Sequence, residues 1–146
     1  LAEMGAPLLI ETLPLYRAGK LKPRPQPPDG VTYASQLSKK NGLIDWSQPV
    51  AEIDRQVRAY NPWPSAYTTW GGQRLTVWEI IPLPDWCGPE PPGTVFRGEA
   101  CPMVATGEGA AWLLRVQLAG KTALSSDQFL CGQPGLIGSV FGCGSE

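Results

Sequence analysis

The sequence has 146 residues, of which 17 are glycine and 16 are proline; 17% of its residues are charged, and its net charge is −1. This share of turn-forming residues favours short strands over a helical bundle, and the balanced charge excludes a uniformly basic nucleic-acid-binding protein. The absence of histidine excludes Ser-His and Cys-His catalytic pairs and most zinc sites.

The four cysteines, Cys87, Cys101, Cys131 and Cys143, lie far apart, and no two have the C-x-x-C spacing of a metal or redox site. No segment resembles a signal peptide, so we interpret them as free thiols of a cytoplasmic protein without a metal site. No apolar run approaches the ~18 residues of a membrane span, which predicts no membrane partner. The chain begins with Leu1 and not with Met, and we expect it to be part of a longer protein.

Residues 1–18 are predicted to form one helix, because apolar side chains recur near helical spacing and Gly19 follows them, where a helix-ending glycine is typical. A helix this short and apolar needs a partner surface, so we interpret it as the remnant of a preceding domain. Residues 19–44 are predicted to form an extended, Pro-rich linker. Residues 15–40 carry six basic residues and one acidic residue, whereas residues 41–146 carry six and ten, so the positive charge is concentrated on the linker.

An amphipathic helix is predicted next, with Ser47 as its N-cap and a proline in its first turn. Its apolar face is formed by residues at helical spacing: Val50, Ile53, Val57 and Tyr60. Asn61-Pro62 is predicted to end the helix, because a residue before proline disfavours the helical conformation.

From residue 66 the apolar residues alternate with a period of two, which indicates β-strands. Gly71-Gly72 is a strong hairpin signal, and Ser125 is predicted to cap one helical turn over residues 126–130. The predicted strands, with a Pro-rich loop at 82–93, are residues 66–70, 73–81, 94–96, 103–106, 111–118 and 136–140. Residues 45–146 are therefore predicted to be a mainly β domain, a small oligonucleotide-binding-type (OB-like) Greek-key barrel with one amphipathic helix before it and a short capping helix.

A series of short motifs runs through the chain from residue 37. The longest are residues 37–49, which include Ile44-Asp45-Trp46-Ser47, and residues 57–68, which include Asn61-Pro62-Trp63-Pro64. Shorter motifs follow at residues 92–95, 105–109 and 125–130. In this order the motifs resemble the C-terminal domain of the methionyl-tRNA formyltransferase family, which usually has glycine in place of Ser65.

The resemblance implies an enzyme that transfers a formyl group from 10-formyltetrahydrofolate to initiator methionyl-tRNA. In this family an N-terminal Rossmann-like domain carries an Asn, His and Asp catalytic set, and a C-terminal OB-type barrel helps to hold the tRNA. Residues 1–18 then correspond to the last helix of the catalytic domain. We expect this chain to hold no catalytic residue and no cofactor, to be inactive alone, and to have two partners, initiator methionyl-tRNA and the N-terminal catalytic domain in cis.

Binding of tRNA requires basic side chains that neutralise phosphates. The candidates are five residues of the linker and two on the polar face of the amphipathic helix: Lys20, Lys22, Arg24, Lys39, Lys40, Arg55 and Arg58. The candidates for contact with the catalytic domain form one turn: Asn61, Pro62, Trp63 and Pro64. Arg74 is interpreted as an ordinary surface charge, and four tryptophans are expected to serve the small core: Trp46, Trp63, Trp70 and Trp78.

Two other functions are open. The chain is alternatively a structural or interface domain of a sugar-nucleotide or folate formyltransferase, without a nucleic-acid role. A free-standing oligonucleotide-binding protein is disfavoured, because it would leave the first helix as an unpartnered apolar element.

Overall fold

The computed structural model describes residues 2–142, and the chain divides into two compact units, Leu1–Ser35 and Gln36–Glu146. The predicted free thiol of Cys143 lies outside the described residues, whereas Cys87, Cys101 and Cys131 are free, as predicted. Within residues 2–142 no helix combines the length and the apolar character that crossing a bilayer requires.

The first unit contains helix α1 (Ala2–Arg17), and Gly19 follows it as the predicted helix-ending glycine. The amide of Gly19, at a φ of 69°, bonds to the carbonyl of Tyr16, and the amide of Lys20 bonds to the carbonyl of Leu15. This pair of bonds is the Schellman motif, in which glycine adopts the left-handed conformation without the cost of a Cβ. None of the α1 residues is buried.

The second unit begins its regular structure with a one-turn 3₁₀-helix, Lys39–Gly42, followed by helix α2 (Val50–Tyr60). Val50, Ile53 and Val57 are buried, which confirms the predicted apolar face. The prediction that Ser47 caps α2 is wrong, because the helix begins after Pro49. The amide of Val50 instead bonds to the carbonyl of Glu108, so that a distant loop satisfies the first turn.

Six antiparallel strands form one curled sheet. They are β1 (Tyr67–Trp70), β2 (Gln73–Leu83), β3 (Val95–Arg97), β4 (Pro102–Ala105), β5 (Ala110–Leu118) and β6 (Leu124–Ser125). The order across the sheet is β1-β2-β5-β4-β3, with β6 paired to β5. Because β2 lies beside β5 and not beside β3, strands β2 to β5 form a Greek key.

Turn chemistry and a bulge shape the sheet. Gly71 and Gly72 both have positive φ, 56° and 73°, as the two-residue hairpin between β1 and β2 requires. The register of β2 against β5 shifts between Val77 and Ile80, and such a bulge increases the local twist and helps a sheet to curl.

The chain end brings the two edges of the sheet together. Ser139 and Gly138 exchange backbone bonds with Val95 in β3, whereas the amide of Gly142 bonds to the carbonyl of Thr69 in β1. The predicted closing strand at 136–140 is only partly correct. A 3₁₀-turn, Pro134–Leu136, occupies its start, and the closing bonds come from the residues that follow.

A short helix and α2 cover the sheet and complete one core. Helix α3 (Ser126–Gly132) is capped as predicted by the hydroxyl of Ser125, which accepts a bond from the amide of Gln128. The core comprises Ile44, Trp46, Val50, Ile53, Val57, Ala66, Leu75, Val77, Ile80, Val95, Val104, Ala111, Leu113, Val116, Phe129, Leu136 and Phe141. The predicted small, mainly β domain with one helix before the sheet and a short capping helix is therefore confirmed.

Candidate nucleic-acid interface

Two of the predicted tRNA-binding residues, Lys39 and Lys40, lie in the 3₁₀-helix, which we call the lysine turn (Lys39–Gly42). The side-chain oxygen of Asn41 accepts bonds from the amide and the hydroxyl of Ser38, both at 2.7 Å. These bonds hold the turn closed, and both lysines are exposed. The two charges are thus presented by ordered backbone and not by a loose linker.

The lysine turn is attached to α2 and to the backbone just before β1. Gly42 is buried so tightly against the carbonyl of Ser65 that a Cβ would overlap with that backbone. The side-chain amide of Gln56 donates to the carbonyls of Asn41 and Leu43 at 3.1 and 2.9 Å. Although these residues were predicted as linker, the structure makes the lysine turn part of the second unit.

A second set of bonds orders the chain between the lysine turn and α2. One carboxylate oxygen of Asp45 accepts from the hydroxyl and the amide of Ser47 at 2.6 and 3.0 Å, and the other accepts from the side chain of Gln48. The Ser47 hydroxyl, followed by the Gln48 side chain and the Ser47 amide, lowers the pKa of Asp45 below its ordinary value, against a small opposing effect of burial. Asp45 therefore has a structural role here as an acceptor.

Arg55 and Arg58 lie on the exposed face of α2, as predicted, but each has an acidic partner. Arg55 forms a salt bridge with Glu52, and Arg58 bonds to Asp54 at 2.9 Å. Because both partners belong to the same helix, much of the positive charge on this face is neutralised locally. The charge available to a phosphate is smaller here than on the lysine turn.

The predicted domain-contact residues form a tightly bonded turn that we call the Trp63 turn (residues 61–65). Asn61 donates to the carbonyl of Trp78 at 2.8 Å, and Pro64 is buried. The structure thus uses Asn61 and Pro64 inside the domain and leaves Pro62 and Trp63 exposed. The prediction that Trp63 serves the core is wrong, because its turn carries the side chain outward, with 57% of it exposed.

Of the other tryptophans predicted to serve the core, Trp46 is buried in it. Trp70 packs against the core and meets Phe129 edge to face. Trp78 is half-buried, and its indole N–H donates to the side chain of Gln117.

Arg74 has a more specific position than the sequence indicated. Its guanidinium lies over the ring of Tyr67, with Cζ 3.8 Å from the ring centroid, and it donates to the carbonyl of Pro64 at 3.2 Å. Within residues 2–142 no carboxylate lies within salt-bridge distance of it. In the sequence, the signal for this position was that Arg74 is adjacent to Leu75 on β2. Adjacent residues of a strand direct their side chains to opposite faces, so a buried Leu75 places Arg74 on the other face.

The remaining predicted cations, Lys20, Lys22 and Arg24, belong to the first unit. They follow α1 in an exposed stretch without helix or strand. Proline at four nearby positions favours an extended backbone there.

The second unit offers little for catalysis. The chain has no histidine, and residues 2–142 contain no group of three His, Cys, Asp or Glu side chains that could hold a metal ion. Burial, with a smaller effect from the charge of Asp127, raises the pKa of the Cys101 thiol and so suppresses the reactive thiolate.

Comparison with known proteins gives one consistent family. The model of the formyl transferase C-terminal domain family matches residues 36–134. The chain is 42% identical over 121 residues to a methionyl-tRNA formyltransferase of Roseiflexus sp., which covers 83% of this chain and 37% of the relative. It is 42% identical over 134 residues to one of Gluconobacter oxydans, with 92% of this chain and 42% of the relative covered. The chain spans about two fifths of the length of these relatives.

Solved structures share the fold at lower identity. HypX from Aquifex aeolicus, in complex with tetrahydrofolic acid, superposes with a TM-score of 0.55 at 22% identity, covering 86% of this chain and 22% of that protein. A variant of HypX gives a TM-score of 0.57 at 21% identity, covering 90% of this chain and 24% of that protein. At this identity the likeness extends to the fold alone.

Proposed function

Since the chain belongs to the family of formyl transferase C-terminal domains, we propose that it is the tRNA-holding part of a methionyl-tRNA formyltransferase. The whole protein transfers a formyl group from 10-formyltetrahydrofolate to the amino group of initiator methionyl-tRNA in the cytoplasm. The observation that carries the proposal is the lysine turn, which presents two exposed cations on ordered backbone at the surface of the second unit.

In this proposal the chemistry belongs to the preceding catalytic domain. The family's catalytic histidine has no counterpart in this chain, so the general base and the binding of 10-formyltetrahydrofolate are assigned to that domain. The second unit positions the tRNA, because contacts to the phosphate backbone fix the orientation of an RNA without reading its sequence. We expect this chain alone to transfer no formyl group.

The cations contribute unequally. Lys39 and Lys40 have no acidic partner within residues 2–142, so each is available to a phosphate. Arg55 and Arg58 must break their ion pairs with Glu52 and Asp54 before they bind a phosphate. The Arg55–Glu52 pair is exposed on both sides, and such pairs are weak, at about 0–1 kcal/mol. Lys20, Lys22 and Arg24 are exposed cations of the first unit and are further candidates for contact with phosphates.

The curled Greek-key sheet with its bulged long strand supports the finer assignment to the OB-type barrels, a class that holds nucleic acid on one face of the barrel. The contact of the Trp63 turn with the catalytic domain in cis remains a prediction, restricted to the exposed Pro62 and Trp63. The alternative of a structural domain in a sugar-nucleotide or folate formyltransferase has less support, because the relatives described above bear the name of the tRNA enzyme.

The test is titration of initiator tRNA with the chain at several salt concentrations. We expect affinity to fall with salt, and the double variant Lys39→Gln, Lys40→Gln to reduce the slope of log K against log salt by about 0.9 for each phosphate that is no longer neutralised. Arg97→Gln is the control. It removes one exposed cation at the end of β3, and β3 and β1 lie at opposite edges of the sheet. If the wild-type chain does not bind tRNA even at low salt, the proposal is wrong.

A further inference from the structure

Trp63 stands apart from the other five tryptophans, all of which lie within the described residues. Trp46 is buried, and the remaining four are half-buried in or against the sheet. Trp63 has 57% of its surface exposed. Exposing an indole in this way gives up hydrophobic stabilisation, which calls for a functional explanation.

The backbone around Trp63 is held on both sides. Before it, Asn61 is bonded to the carbonyl of Trp78. After it, the amide of Ser65 bonds to the carbonyl of Tyr60 at 2.9 Å, and its hydroxyl bonds to the carbonyl of Pro62 at 2.7 Å. A ligand that packs on the indole therefore loses little free energy in ordering the protein backbone.

The sequence around this turn carries cations and no acid up to Glu79, the residue that follows Trp78. No acidic residue occurs between Asp54 and Glu79. Arg74 donates to the carbonyl of Pro64, the residue directly after Trp63. The lysine turn reaches the same place, because Gly42 packs against the carbonyl of Ser65.

We propose that Trp63 is a stacking surface for an unpaired base of RNA, and that Arg74 binds a phosphate next to that base. Base stacking on an exposed aromatic ring beside cations is how proteins hold single-stranded nucleic acid. The predicted contact of Trp63 with the catalytic domain is the competing use of this surface, and unchanged single-strand binding by Trp63→Ala would favour it. The inference rests on the proposed function and adds to it the kind of nucleotide that is recognised.

Arg74 is prepared for this role by Tyr67. Its guanidinium is already stacked on the tyrosine ring, which restricts a long side chain before any phosphate arrives. The single bond to Pro64 leaves other N–H groups of the guanidinium available to a phosphate. Lysine at this position would keep the charge but lose the planar stacking.

The experiment compares two RNA probes with the full chain and its variants. The probes are a single strand of about eight nucleotides, within the span of one such domain, and a blunt-ended duplex containing the same strand. We expect Trp63→Ala to weaken the single strand about tenfold without changing the duplex or the salt slope, because no charge is removed. Trp63→Phe should retain most of the affinity, and the single strand should quench tryptophan fluorescence less in that variant than in the wild type.

The role of Arg74 is tested separately, by the salt dependence of binding. Arg74→Gln should reduce the salt slope for the single strand by about 0.7, and Arg97→Gln should leave both affinities unchanged. Thermal unfolding of each variant checks that the domain remains folded.

Three results would overturn the inference. If Trp63→Ala binds the single strand as tightly as the wild type, Trp63 does not stack on RNA, and the proposed tRNA function is unaffected. If Trp63→Ala weakens the duplex and the single strand equally, the effect is not base stacking. If the wild-type chain binds neither probe nor tRNA, the proposed function fails and this inference with it.

Discussion

The indole N–H of Trp46 donates a hydrogen bond of 3.1 Å to the hydroxyl of Thr68, and both residues are buried. This bond connects the segment before α2 to strand β1. The backbone follows the same path, since the amide of Ile44 bonds to the carbonyl of Tyr67 at 2.8 Å. A buried polar pair thus anchors the segment before α2 to the sheet and satisfies an otherwise costly indole N–H.

Replacing Thr68 by valine keeps the shape of the side chain and removes the acceptor. We expect the free energy of unfolding to fall by about 1–3 kcal/mol, because the buried N–H of Trp46 is left without a partner. Urea unfolding measures the loss. Thr76→Val on β2, where the threonine is half-buried, is the control and should change stability by less than about 0.5 kcal/mol. Equal stability of the two variants would contradict this role of Thr68.

Gly107 leaves no space for a side chain, because a Cβ there would overlap with the carbonyl of Ser47. The amide of Gly107 also bonds to the carbonyls of Trp46 and Gln48 at 2.9 and 3.1 Å. We expect Gly107→Ala to cost at least about 2 kcal/mol, as overpacking does. Gly132→Ala at the end of α3, where nothing lies within 4 Å of the new methyl group, should be close to neutral. Chemical denaturation of the pair compares them, and similar midpoints would contradict the close approach.

The low pKa of Asp45 makes a small part of the stability dependent on pH. Because the folded-state pKa is below the ordinary value of 3.8, the contribution is present above that value and is lost as the pH falls through the folded-state pKa. We expect Ser47→Ala to raise the pKa of Asp45 towards 3.8, since it removes the largest cause of the shift. NMR titration of the carboxyl carbon measures this, with Ser38→Ala as the control. An unchanged titration in Ser47→Ala would exclude the serine hydroxyl as the cause.

Glu52→Gln tests whether the α2 face contributes to RNA binding. The change releases Arg55 from its ion pair, so we expect tighter tRNA binding and a steeper salt dependence. Stability should change by less than about 0.5 kcal/mol, because the pair is exposed. Filter binding at two salt concentrations gives the result. Unchanged binding would remove Arg55 from the proposed interface.

The sequence by itself determined the elements that depend on short-range signals. The apolar spacing of α2, its end at Asn61-Pro62, the Gly71-Gly72 hairpin, the Ser125 cap and the ending at Gly19 were all predicted correctly. Each depends on backbone conformations and side chains within a few residues. Conformational preference and periodicity act over that distance.

Only the tertiary structure decided the features that join distant residues. The first turn of α2 is satisfied by Glu108 and not by Ser47, and the sheet edges are joined by the residues after Leu136. The lysine turn becomes part of the domain through Ser65 and Gln56. Likewise, the exposure of Trp63 and the place of Arg74 follow from which strands pair, because hydrogen bonding and close packing across the fold depend on coordinates that no local pattern contains.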